Sequence, residues 1–127
     1  MKLWIDDVRP APDGYVWFKS VNEAKEQIED LEKEQQYFQD LAFRFFHSGE
    51  RIAYHNVMSM CNHREIELID MDHDSGDYNI DGGDYIRLLD WLEQTSRNYP
   101  IRIHSQNPVG VANMRAIIER NGWKEVK

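Results

Sequence analysis

The sequence predicts an α/β fold: a three-layer sandwich on a mainly parallel sheet of four to five strands. Two observations carry this. Short apolar runs alternate with longer amphipathic stretches, as when strands are joined by crossover helices. Three of those runs also end in polar residues, at Asp6-Asp7, Asp70 to Asp74 and His104-Ser105. Ligands of open parallel sheets bind outside the carboxyl ends of the strands, so chemistry at one end of three strands points to a shared site.

Lys2 to Asp6 reads as the first strand, apolar through Leu3, Trp4 and Ile5. Val8 to Gly14, with Pro10 and Pro12, is a loop. Tyr15 to Lys19 is aromatic and β-branched, a second strand. Ser20-Val21-Asn22-Glu23 has capping-box spacing, and Ala24, Ile28, Leu31, Phe38, Leu41, Ala42 and Phe45 follow at helical spacing. One long helix, or two in sequence, therefore runs to about His47, and Ser48-Gly49 ends it. Glu50 to Arg64 is mixed in composition, with Ile52, Ala53, Val57 and Met58 able to line a helix.

Ile66, Leu68, Ile69 and Met71 make the run of a strand buried on both faces. It breaks into Asp70, Asp72, His73, Asp74, Asp77, Asp81 and Asp84, with Gly76, Gly82 and Gly83 allowing tight turns. Tyr85, Leu88, Leu89 and Leu92 predict a helix to near Asn98. Ile101 to His104 is a short strand, and Ser105 to Gly110 a turn. A helix bearing Val111, Met114, Ile117 and Ile118 follows, closed by Asn121-Gly122. Trp123 to Val126 is expected to add a last strand.

At 127 residues the chain is read as a single domain, long enough for a real core. Its net charge of −8 argues against a broad nucleic-acid or membrane surface, though not against a local basic patch. Cys61 is the one cysteine, which excludes a disulfide framework. No run is long enough to cross a bilayer, and the N-terminal apolar stretch is too short for a signal peptide. The expectation is a soluble, cytoplasmic protein.

Clustered carboxylates at the end of a buried strand need a cation or hydrogen-bond donors, because unpaired charge in low dielectric is costly. Oxygen-rich sites suit hard divalent ions. Asp6, Asp7, Asp72 and Asp74 are the candidate ligands, with Mg²⁺ the expected cofactor and Mn²⁺ the other candidate. The plainer alternative is that they cap loops or pair with Arg9 and Arg102. His73 and His104 flank the cluster, and imidazole suits acid and base work near neutral pH. Strict alternation along the strand would turn His73 away from Asp72 and Asp74. Ser105 and Asn107 precede a helix whose free N–H groups welcome an anion, and Arg9 has the fork for a phosphate.

The layout resembles the receiver domain of two-component signalling, a flavodoxin-like fold. Asp6-Asp7 match its acidic pair, Asp72 in D-H-D-S-G its third-strand aspartate, and Ser105 its fourth-strand hydroxyl. That resemblance implies Mg²⁺ on Asp6, Asp7 and Asp72, with phosphoryl oxygens near Ser105. Two features depart from it. The link from Asp7 to Tyr15 is too short for the first helix, and the invariant lysine of the fifth strand has no clear equivalent.

A closer resemblance is to the cyclic-phosphate-processing receiver domains. L-W-I-D-D-V-R-P-A-P-D-G-Y, D-H-D-S-G-D followed by G-G-D-Y, and R-I-H-S-Q-N-P-V-G carry it. The resemblance implies a receiver-like fold lacking its first helix, with a helical insertion at about 31–64 before the third strand. It also implies metal-dependent binding, and hydrolysis, of cyclic phosphate ends of nucleotides or RNA. On this reading Asp72, His73 and His104 are catalytic and Ser105, Asn107 and Arg9 hold the phosphate. The alternative is a degenerate receiver module, acting by protein contact through the inserted segment or as a phosphoacceptor.

Overall fold

The structure, a computed structural model, describes residues 1–127. Strands β1 (Lys2–Ile5), β2 (Tyr15–Phe18), β3 (Leu68–Met71) and β4 (Ile101–Ile103) form one sheet in the order β2-β1-β3-β4. Every neighbouring pair is parallel. The helices are α1 (Val21–Ser48), α2 (Arg51–His63), α3 (Ile86–Gln94) and α4 (Pro108–Asn121), with a 3₁₀ turn at Gly76–Ile80. The chain divides into two compact units: Met1–Lys25 with Ile66–Lys127, and Glu26–Glu65.

In the first unit the strand register sorts the side chains. Leu3 stands opposite Ile69, Ile5 opposite Met71, and Ile69 opposite Ile101, and all five are fully buried. Burying such a side chain contributes about 1.5–3 kcal/mol. Alternation puts Trp4, Asp70 and Arg102, also in register, on the opposite face. Continued one residue past the strand ends, the same alternation brings Asp6, Asp72 and His104 to that face.

The β1–β2 link holds no helix, as its length predicts. It is a loop braced by the Trp4 indole N–H, which donates to the Arg9 carbonyl at 2.8 Å. Lys25, early in α1, lies 5.9 Å from the Trp91 ring of α3. The Ser20 hydroxyl caps α1 by accepting from the Glu23 N–H at 3.1 Å, as the capping-box spacing requires. Tyr85 is fully buried and its hydroxyl donates to the Lys19 carbonyl at 2.7 Å, tying the start of α3 to the end of β2.

Three boundaries differ from the sequence expectation. Helix α3 stops at Gln94 rather than near Asn98 because Ser96 turns left-handed (φ 56°). The Ser96 N–H then reaches the Glu93 carbonyl and the Arg97 N–H that of Leu92, a Schellman closure on a residue other than glycine. Helix α4 begins at Pro108, inside the expected turn, because the Asn107 side chain accepts from the Gly110 N–H at 3.0 Å and Pro108 needs no donor of its own. The anticipated fifth strand is a single bridge between Ile101 and Glu125, since the three-residue β4 offers no second rung.

The second unit is a helical hairpin made of the rest of α1 and all of α2. Gly49, at φ 79°, makes the turn, and the Arg64 guanidinium joins Glu34 at 2.9 Å and covers the Phe38 ring at 4.6 Å. Near the turn, Ala42, Phe43, Phe46, Tyr54 and Met58 line a cavity of about 340 Å³. No helix of the chain is long and apolar enough to cross a membrane.

Candidate functional site

The carboxyl ends of β1, β3 and β4 are locked together by backbone bonds that prolong the sheet. The Asp72 N–H donates to the Ile5 carbonyl and the His104 N–H to that of Met71, each at 2.9 Å. Asp6, Asp72 and His104 thereby converge: each offers a ligand atom within 4.8 Å of the other two.

Asp6 is buried. One carboxylate oxygen accepts from the Val8 and Arg9 N–H groups, each at 2.9 Å, and the other meets His104 Nε2 at 2.8 Å. Burial raises the Asp6 pKa, but the donors from Arg9, Val8 and His104 outweigh it and leave Asp6 below the usual carboxylate range. Asp7 goes the other way. Burial first, and then the charges of Asp6 and Asp72, push its pKa up, since desolvation and like charges both disfavour the ionised form. Gly76 backs onto this carboxylate so closely that a Cβ there would collide with it.

His104 sits between two acids. Nδ1 lies 2.6 Å from Asp70 Oδ1, and Nε2 faces Asp6. Both partners are acceptors, so an imidazole bonded to both carries protons on both nitrogens. Burial lowers the His104 pKa, yet the bonds and charges of Asp70 and Asp6 raise it overall. The ring also stacks on Trp4, 3.8 Å between centroids. Asp70 is the residue that sequence reasoning passed over as a site member. It is 1% exposed, and its second oxygen has no hydrogen-bond partner, only the Arg102 guanidinium at 3.7 Å. The signal was there: Asp70 shares the face of Asp72 and interrupts an otherwise apolar buried strand.

His73 belongs to a neighbouring group with Asp74 and Asp84. Its Nδ1 lies 2.8 Å from Asp74 Oδ1, so the expectation that the ring turns from Asp74 does not hold: the chain leaves β3 at Met71 and strand alternation no longer applies. The ring packs against α4 at Gly110, where a Cβ would lie 2.5 Å from it. Asp84 accepts from the Ser75 N–H, the Ser75 hydroxyl and Asn79, each at 3.1 Å, and these donors hold its pKa down. It pins the acidic loop.

The expected phosphate residues are placed around the same rim. The Ser105 hydroxyl accepts from the Asn107 N–H at 3.1 Å. Asn107 spends its carbonyl on capping α4, and its amide reaches Asp74 at 3.4 Å. Exposed Arg9 donates to the His104 carbonyl at 3.1 Å, so its guanidinium braces the third strand end. Asp74 stands with His73, apart from the Asp6–Asp72–His104 group.

A parallel sheet whose strand ends gather carboxylates in this order defines a receiver-like α/β domain. The chain belongs to the cyclic-phosphate processing receiver domain family, whose model matches residues 1–46 and 51–120. No curated protein and no solved structure matches it. The family match runs through residues 31–46 and 51–64, so most of the segment expected to be an insertion is aligned, and 47–50 at the hairpin turn is left out.

Proposed function

We propose that this domain binds a divalent cation, Mg²⁺ or Mn²⁺, on Asp6, Asp7 and Asp72, and there binds and hydrolyses the cyclic phosphate end of a nucleotide or RNA. The observation that carries this reading is the charge balance at the strand ends. One imidazole, that of His104, stands among the four carboxylates of Asp6, Asp7, Asp70 and Asp72, and the charges of Asp6 and Asp72 add to burial in pushing Asp7 up. A hard cation with oxygen ligands fits that donor set. Family membership supports the substrate class.

When bound, the ion would neutralise charge on the phosphoryl oxygens. The side chains divide the proton transfers. Asp74 fixes the Nδ1 side of His73, which leaves Nε2 as a base for water. His104, bonded to Asp70 through Nδ1, would have its Nε2 proton to give once Asp6 releases it. Water attacks phosphorus, its proton passes to His73, the P–O bond to one sugar oxygen breaks, and that oxygen takes a proton from His104. Arg9, Ser105 and Asn107 border the phosphate. The test is turnover of 2′,3′-cyclic nucleotides with Mg²⁺ or Mn²⁺. Activity lost in Asp72→Ala and His104→Ala is expected; a wild-type protein that neither binds nor turns over these compounds overturns the reading.

A second reading, a degenerate receiver acting through protein contact, is favoured by one observation: Phe43 and Phe46 in the helical hairpin are each 64% exposed. It requires a partner complex lost in Phe43→Ser together with no cyclic-nucleotide binding.

A further inference from the structure

Beside the carboxylate cluster, on the β2 side, three side chains take no part in the chemistry above. Lys19 follows β2, and its ammonium lies 4.6 Å from the centre of the Trp17 ring and 6.0 Å from that of Tyr78. Trp17 is bound to the site itself, since its indole N–H donates to the Asp6 carbonyl at 2.7 Å. Tyr78 rides on the 3₁₀ turn that begins at Gly76, the residue against Asp7, and is 36% exposed. Two aromatic rings with a cation over both therefore stand beside Asp6 and Asp7, two of the proposed cation ligands, on a chain whose net charge is −8.

We propose that Trp17, Lys19 and Tyr78 form a nucleobase subsite, so that the ligand is a nucleoside 2′,3′-cyclic phosphate rather than a cyclic phosphate at large. This rests on the reading of the neighbouring cluster as a phosphate site. Aromatic faces accept any base by stacking, and an ammonium over an indole is exchangeable. The base takes the ring face that Lys19 now covers, and the ammonium turns to a phosphate oxygen, where charge complementarity is greatest. Stacking does not read base identity, so the subsite is tolerant of sequence.

The test compares two ligands in the presence of Mg²⁺: adenosine 2′,3′-cyclic phosphate and its abasic counterpart, methyl riboside 2′,3′-cyclic phosphate. Calorimetry on the wild-type chain is expected to give about 5- to 150-fold tighter binding of the adenosine compound, the span of one base–aromatic stack. Tyr78→Leu shrinks that ratio and leaves abasic binding unchanged, Trp17→Leu shrinks the ratio, and Lys19→Ala weakens both ligands alike. Tyr78 is at the surface, so its variant keeps the test sound if loss of the Trp17 indole bond disturbs the fold. Equal affinity for the two ligands in the wild type, or a ratio that survives both aromatic variants, overturns the subsite alone. Binding of neither ligand overturns the phosphate reading and the subsite with it.

Discussion

The imidazole of His104 lies flat on the indole of Trp4, with 4° between the two planes. An aromatic face favours a cation, so Trp4 supports the same charged form that Asp70 and Asp6 hold by hydrogen bonds. The contacts come from two neighbouring strands, Trp4 and Asp6 from β1 and its end and Asp70 from β3, and they agree on one protonation state.

Stability should therefore depend on that proton. The folded pKa of His104 is raised above an unfolded value near 6.5. Its contribution is full below the unfolded pKa and is lost as pH rises through the folded one. In metal-free buffer, the urea midpoint of the wild type is expected to fall from neutral to alkaline pH, and that of His104→Gln to stay flatter. Parallel curves would remove His104 as the cation.

Asp7 predicts an opposite pair of effects. Its raised pKa means that its charge is unfavourable in the free protein, so Asp7→Asn should raise the metal-free Tm by a few degrees. Saturating Mg²⁺ should stabilise the wild type, by about 2.7 kcal/mol at a hundred times Kd, and this increment should vanish in Asp7→Asn. Thermal melts with and without Mg²⁺ check both halves.

Gly110→Ala places a methyl where the His73 ring now sits. The fold and the Mg²⁺-dependent rise in Tm should survive, since Gly110 touches neither Asp6 nor Asp72. Turnover of a cyclic nucleotide should fall by about 10²-fold, the cost of a small misplacement of a reacting group. Unchanged turnover would take His73 out of the proposed mechanism.

Asp70 should matter far more to stability than Arg102. Removing one partner of a buried charge pair costs about 3–5 kcal/mol, so Asp70→Ala is expected to destabilise by that order. Asp70→Asn keeps an acceptor for His104 and should cost less. Arg102 is half exposed and sits 3.7 Å from its partner, so Arg102→Ala should stay within ~1 kcal/mol. Urea denaturation of the three variants ranks them.

The sequence revealed most of what alternation and composition encode. Asp6, Asp72 and His104 stood out because charge ending an apolar run is visible in one dimension. Asp70 did not, because its partner His104 lies on another strand and the strand around it is buried on both faces. Helix α2 was obscure for a different reason: only Val57 and Cys61 in it are buried, too few to print a helical period. The early stop of α3 was hidden because its left-handed residue is Ser96, without the glycine that normally marks such an end.

The pairing of β1 with β3 fixes an order of events. Lys2 lies beside Leu68, so the two central strands cannot meet until a ribosome has passed Met71, and closing so long a span is slow compared with winding helices. Helical segments have the whole of that interval to form. The acidic rim, made from the ends of those same strands, is among the last features the nascent protein acquires.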